Sequence, residues 1–389
     1  MKGGNMRRTK RFGIHVTVFG GLILALALSE AAAYYSAHKE PDSGLFFKTY
    51  PHLVGTRLDG CDVCHIRSSA LPPGQKSGTP VPVNSCDTCH TLTDYGRKSA
   101  NTLTPYGADY LKHGRNAAAL AAIEKLDSDG DGALNGAELA AMSNPGDRQS
   151  VPGQKNTAHV ILSYDELIKK GVSVIEQALF VNVAKSRDGD SYADIRGFPL
   201  IEVLEAAGMS EKATSVDVIS LDGYASTFSI DQLRWKYPQA APVFGLGKET
   251  LGECGWVRYE AKNLKEGVPL PDAVILLSFE ENGQSLAPAS MDAEQRLTGR
   301  GPFRIAAPQM YNPGFPDISV NATEECVQKI PERYRYNRYY EKNADYCVKA
   351  VVAIRVNPLP PGETDIDWPQ YAKKAIEGKS VVVFGALRR

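Results

Sequence analysis

The longest apolar stretch lies near the start, where VTVFGGLILALALS (16–29) follows Arg7, Arg8, Lys10 and Arg11 and ends at EAAA (30–33). A basic head, a short apolar run and small residues before a cut predict a secretory signal peptide removed after Ala33. The run is shorter than the roughly 20 residues a membrane helix needs, and an uncleaved anchor is the alternative. Further on, NAAALAAIEKL (116–126) and AELAAM (137–142) have helical spacing, with Asn116 as an N-cap. PLIEVLEAAGM (199–209) reads as an amphipathic helix.

From about residue 156 the texture changes to apolar runs with turn residues between them. SVDVISLDGYASTFSI (215–230) predicts two strands about an Asp222-Gly223 turn, and AVILLSFEENGQSL (273–286) a strand pair about Asn282-Gly283. AVVAIRVNPL (350–359) and SVVVFGAL (380–387) read as strands. The expected fold class is α+β: a small, mainly helical module, then an α+β domain with a mostly antiparallel sheet system. The organisation is a signal peptide (1–33), a first module (34–155) ending in a linker, and a second domain (156–389).

Composition sets outer bounds. With 44 Lys plus Arg against 45 Asp plus Glu in 389 residues, nothing points to a polyanionic partner such as nucleic acid. The 43% hydrophobic residues suffice for ordinary cores, and no later apolar run predicts a membrane span in the mature chain. The expected location is periplasmic or extracellular. Oligomeric state is not legible.

Chemistry concentrates in two short motifs. GCDVCH (60–65) and SCDTCH (85–90) each place two cysteines and a histidine in five positions: Cys61, Cys64 and His65, then Cys86, Cys89 and His90. Two covalent haems compete with one shared zinc. A four-cysteine zinc ribbon has no use for a histidine after each pair. Haem attachment uses all three residues, two thiols joining the vinyl groups and the imidazole taking the iron. Export agrees, because four exposed thiols oxidise outside the cytoplasm unless consumed. Two c-type haems are therefore expected, close enough in sequence for electrons to pass between them. Of the remaining mature-chain histidines, His38, His52, His113 and His159, the distal-ligand candidates are His52 and His113. An open distal site is the alternative.

DSDGDGALNGAE (127–138) matches a twelve-position calcium loop. Asp127, Asp129 and Asp131 fall at positions 1, 3 and 5, Gly132 at 6, the Ala133 carbonyl at 7, Asn135 at 9 and Glu138 at 12. Four carboxylates this close repel one another unless a hard cation sits among them. With no second loop, the site reads as a structural staple and not a sensor. SNPGD (143–147) stops the exiting helix.

The stretch 45–150, with its paired CxxCH motifs and single calcium loop, resembles small extracytoplasmic cytochromes of metal-respiring and sulfur-respiring bacteria. That resemblance implies single-electron transfer between redox partner proteins, other cytochromes or a reductase. Residues 160–310 hold, in order, FPLIEVLEAAG, DGY, ILLSFEENGQSL and GPFRIAAP, and are similar to the molybdopterin-binding domain of the sulfite oxidase family. In that family a cysteine on an early loop binds molybdenum, whereas residues 174–197 contain no cysteine, and Cys254 comes too late in the order. This departure argues against molybdopterin and for a docking domain, since fold does not carry function with it. A haem-linked oxidoreductase acting on a small oxyanion is the alternative function. Cys326 and Cys347 are candidates for a disulfide, and RYRYNRYY (333–340) for a packed loop or a partner-docking patch.

Overall fold

The computed structural model describes residues 41–60, 63–64, 103–181, 190–239, 243, 257–259, 261–265, 267–292, 297–308, 328 and 346–388. The expected signal peptide lies outside them. Among the described residues no helix is long and apolar enough to cross a membrane.

Short helices come first. Helix α1 (Pro41–Thr49) leads into one 3-10 turn (Pro51–Leu53), and α2 (Pro105–Lys112), α3 (Ala117–Ile123) and α4 (Asn135–Ala141) follow. Each start is legible in side-chain chemistry. Thr104 caps α2 by accepting from the Gly107 N–H, with Pro105 in the first turn, and Asn116 caps α3 by accepting from the Ala119 N–H. Phe46, Phe47, Tyr50, Leu53, Tyr106, Leu120, Ile123 and Leu139 close a core of their own between these helices. Phe46 meets Phe47 edge-on with ring centroids 5.1 Å apart, and Tyr106 edge-on at 6.4 Å.

Strand β1 (Lys155–Asn156) begins the sheet-containing part of the chain. There follow β2 (His159–Ser163), α5 (Tyr164–Lys169), β3 (Ile175–Val181), β4 (Asp190–Pro199), α6 (Leu200–Ala206), β5 (Ser215–Ser220), β6 (Ala225–Ser229) and α7 (Ile230–Arg234). Then come β7 (Val257–Tyr259), β8 (Leu276–Glu281), β9 (Gln284–Ser285), β10 (Ser290–Met291), β11 (Leu297–Thr298) and β12 (Arg304–Ala306). Strand β13 (Val351–Asn357), β14 (Glu363–Thr364), α8 (Pro369–Glu377) and β15 (Ser380–Gly385) end the described chain. The class is α+β, as the pattern predicts.

One sheet runs β2-β15-β13-β5-β6, and another β12-β8-β4-β3 with β7 beside β4 and β9 beside β8. Most pairings are antiparallel; β13 and β15 are parallel because α8 carries the chain back between them. Apart from Arg355 and Asn357 near the end of β13, both strands are largely apolar without alternation because both their faces are covered. Val351, Ile354, Val381 and Val383 face one core with Leu200, Val203 and Leu204 of α6. Val352, Ala353, Val382 and Phe384 face another with Trp368, Ala372 and Ala375 at α8. The Asn282-Gly283 turn has positive φ at both residues, 54° and 75°, which suits a two-residue hairpin between β8 and β9.

The two parts touch directly. The Arg57 N–H donates to Asp367 Oδ1 at 2.8 Å, and Ser150 Oγ lies 3.5 Å from Thr364 Oγ1.

Candidate metal and haem sites

Of the two Cys-x-x-Cys-His motifs, Cys61, His65, Cys86, Cys89 and His90 lie outside the described residues, as do Cys254, Cys326 and the 333–340 cluster. Cys64 is described and is half-buried against the aromatic core of the helical module. Its carbonyl accepts from the Thr104 N–H at 2.9 Å, while Thr104 Oγ1 donates to the Val63 carbonyl at 2.8 Å. The first motif is thereby tied to the N-terminus of α2. Gly107 permits this approach, because a Cβ there would collide with the Cys64 carbonyl. The wall behind Cys64 is aromatic and buried, formed by Phe46, Tyr50 and Tyr106. Burial pushes the Tyr50 hydroxyl well above its ordinary pKa, and the acceptor Glu124 at 3.0 Å adds to the rise. Such an apolar wall on one flank of a CxxCH motif fits a haem face.

The two candidate distal ligands differ. His113 Nδ1 lies 2.8 Å from the Asp109 carbonyl, and since a carbonyl only accepts, Nδ1 carries the proton and Nε2 of the neutral ring has its lone pair free. His52 instead places Nε2 at 3.3 Å from the Leu139 carbonyl, so that nitrogen is the donor. A metal-bound histidine usually donates its other ring N–H to a carbonyl or carboxylate, the arrangement His113 has. Both rings are exposed.

The acidic loop is built from short-range bonds. Asp127 Oδ1 accepts from the Gly130 N–H at 2.8 Å and Oδ2 from the Gly132 N–H at 3.0 Å. Asp129 Oδ1 accepts from the Asp131 N–H at 3.2 Å, and Asp131 Oδ1 from the Ala133 N–H at 2.7 Å. Gly132, with φ of 98°, supplies the turn that only glycine takes freely. One carboxylate oxygen from each of Asp127, Asp129 and Asp131 falls within 4.8 Å of the others.

Glu138 decides what the cluster wants. It is fully buried at 0% exposure, and neither of its carboxylate oxygens has a hydrogen-bond partner; Asp129 Oδ2 and Asp131 Oδ2 are buried and partnerless too. Burial, then the charges of Asp129, Asp131, Asp127 and Asp147, push the Glu138 carboxyl up to about 8. Burial and Asp131 push Asp129 up to about 6. A buried carboxylate without a partner costs several kcal/mol unless it is protonated or paired with a positive charge. All the donors are oxygen, the set that hard Ca2+ takes.

Asn135 is placed differently from the other expected ligands. Its Oδ1 accepts from the Ser128 N–H at 3.1 Å, and its Nδ2 donates to the Ile123 carbonyl at 2.7 Å and Ser128 Oγ at 2.8 Å. Its amide closes the loop onto the end of α3. The Ala133 N–H is held by Asp131, which orients the position 7 peptide.

Several groups escaped the sequence reading. Asp147, read only as part of a helix stop, contributes charge to Glu138 and Asp129. Glu281 receives Arg300 Nη1 at 2.8 Å and the buried Arg304 Nη1 at 2.6 Å. Neither pairing has a sequence signal, since sheet register and a loop bring them together. Cys347 is buried, its sulfur 3.9 Å from the Ala307 carbonyl.

No protein-family model matches this chain, and no curated protein matches it.

Proposed function

We propose that this chain is an exported dihaem c-type cytochrome that carries single electrons between redox partner proteins, with one structural calcium ion in its haem module. The repeated Cys-x-x-Cys-His motif carries the reading. Cys61, Cys64 and His65 would hold one haem, and Cys86, Cys89 and His90 the other. The haems would supply reversible one-electron iron chemistry. The protein's own part is to fix the attachment segment, which the Thr104 bonds to Val63 and Cys64 support, and to keep its inner flank dry with Phe46, Tyr50 and Tyr106. Asp127, Asp129, Asp131 and Glu138 would hold calcium, a reading supported by the partnerless Glu138 oxygens. The C-terminal α+β part would serve to dock a partner.

The test is an optical spectrum of purified, matured protein, oxidised and reduced, with elemental analysis. Two irons per chain and a c-type spectrum are expected, falling to one iron when Cys61 and Cys64 are both replaced by serine. Absence of haem absorption sinks the proposal, and zinc in place of iron favours a zinc-and-calcium adhesion module. Molybdenum at one per chain would make the protein a haem-linked oxidoreductase.

A further inference from the structure

A chain of side-chain bonds runs from the acidic loop to the end of α2. Ser128, second in the loop, stands between Asp127 and Asp129, and its Oγ–H donates to Asp109 Oδ2 of α2 at 2.8 Å. Asn135 clasps the same residue, its Nδ2 donating to Ser128 Oγ at 2.8 Å and its Oδ1 accepting from the Ser128 N–H at 3.1 Å. The Asp109 backbone oxygen has a second task. It accepts the His113 N–H at 3.0 Å and lies 2.8 Å from His113 Nδ1. One residue therefore has its carboxylate held by the loop and its carbonyl holding the imidazole.

The other end of α2 is fixed as well. Thr104 Oγ1 donates to the Val63 carbonyl, and Gly107 lies against the Cys64 carbonyl. This short helix thus carries the clamp on the first Cys-x-x-Cys-His motif at its start and, just past its last residue, a histidine in the tautomer that offers Nε2. A histidine closing a helix end onto a carbonyl is common by itself. Such a cap does not account for the carboxylate of the same residue bonding to the acidic loop. The loop is marked as a ligand site independently, by the fully buried Glu138 with two partnerless oxygens.

We propose that Asp109 is a positioning residue that couples the two sites: calcium at Asp127 and Asp129 fixes Ser128 between them, Ser128 holds the Asp109 carboxylate, and the Asp109 carbonyl presents His113 Nε2 as the distal ligand of one haem. This rests on the calcium and haem readings above and goes beyond both, since it makes calcium occupancy a condition of haem ligation. In the empty loop the carboxylates repel one another and Ser128 loses its support on both sides. The last turn of α2 then frays. Helix ends open at little cost in free energy, so a ligand carried there is one that a modest coupling between sites releases.

The experiment takes matured full-length protein, reduced, and adds carbon monoxide in excess calcium and again in excess chelator, with calorimetric calcium titration alongside. The wild type is expected to bind one calcium, to refuse carbon monoxide while calcium is bound, and to accept it at one haem once calcium is removed, with a raised potential there. Asp109→Ala and Ser128→Ala should still bind calcium, yet take up carbon monoxide at one haem whether or not calcium is present. Asp109→Asn keeps an acceptor for Ser128 and should behave as the wild type, a rescue that a general weakening of α2 does not predict. If the wild type binds calcium but its carbon monoxide response is the same without it, the proposal is overturned and both readings stand. If Asp109→Ala keeps the calcium response, Asp109 is not the link and the proposal is again overturned. If the wild type binds no calcium or shows no haem absorption, the proposal falls with the reading beneath it, and the titration and the spectrum tell which of the two failed.

Discussion

The Arg57 Nε–H donates to the carbonyl of Met142 at 2.7 Å, joining the approach to the first Cys-x-x-Cys-His motif to the last turn of the helix that leaves the acidic loop. Its backbone N–H holds Asp367 at the same time, so one residue spans three segments. Burial lowers the Arg57 guanidinium pKa, against which the charges of Asp365 and Asp367 act. Arg57→Ala removes a charge-assisted bond and exposes the Met142 carbonyl without a donor. Destabilisation of about 1.5–3 kcal/mol is expected in denaturant titration, and an unchanged midpoint would show that the junction does not depend on this side chain.

Gly107 and Gly146 let α2 and the 143–150 turn close on the Val63–Cys64 segment. Because backbone atoms stand where a Cβ would go at Gly107, no side-chain rotation relieves the clash. Gly107→Ala should cost about 1–3 kcal/mol, a typical overpacking penalty, and, on the haem reading, lower the yield of attached haem. Equal melting temperature and equal iron content in variant and wild type would show that the segment has room to move.

The parts legible in the sequence are those whose partners are near in the chain. The twelve-residue loop, the Asn116 cap and the Asn282-Gly283 turn each depend on residues a few positions apart, and each lies where the pattern puts it. Asn135 shows the limit: the motif gives its position, but the bonds of its amide are set by the end of α3. Long-range pairings had no local signal. Arg57 and Asp367 are 310 positions apart, and β13 lies between β15 and β5 because three separate runs of valine and isoleucine share two cores. The two Cys-x-x-Cys-His motifs are legible in the sequence, while of their six cysteines and histidines only Cys64 lies within the described residues.

Glu281 sets an acid limit on stability. Burial raises its carboxyl, but Arg304 and Arg300 beside it outweigh this and hold it below the ordinary value of 4.5. The unfolded chain therefore binds a proton at higher pH than the native one does. The stabilisation is complete above the unfolded value and is lost as pH falls through the folded one. Glu281→Gln at neutral pH leaves the buried Arg304 without its counter-charge and should cost on the order of 3 kcal/mol. The gap between variant and wild-type melting temperatures should narrow as pH drops below 4.5. A gap that stays constant from pH 7 down to acid would rule out this linkage.

His113 and His52 can be told apart on the haem reading. The bond from His113 Nδ1 to the Asp109 carbonyl holds the ring in the tautomer that offers Nε2, whereas His52 must first give up the Leu139 carbonyl. The reduced His113→Ala protein is expected to bind carbon monoxide at one haem where the wild type does not, with a raised potential at that haem as a bis-histidine pair is lost. His52→Ala should keep the wild-type spectrum. The two variants share the loss of one exposed imidazole, so a difference between them reports ligation and not surface charge. If carbon monoxide bound only to His52→Ala, the ligand would be His52, and the His113 bond to Asp109 would do no more than finish the last turn of α2.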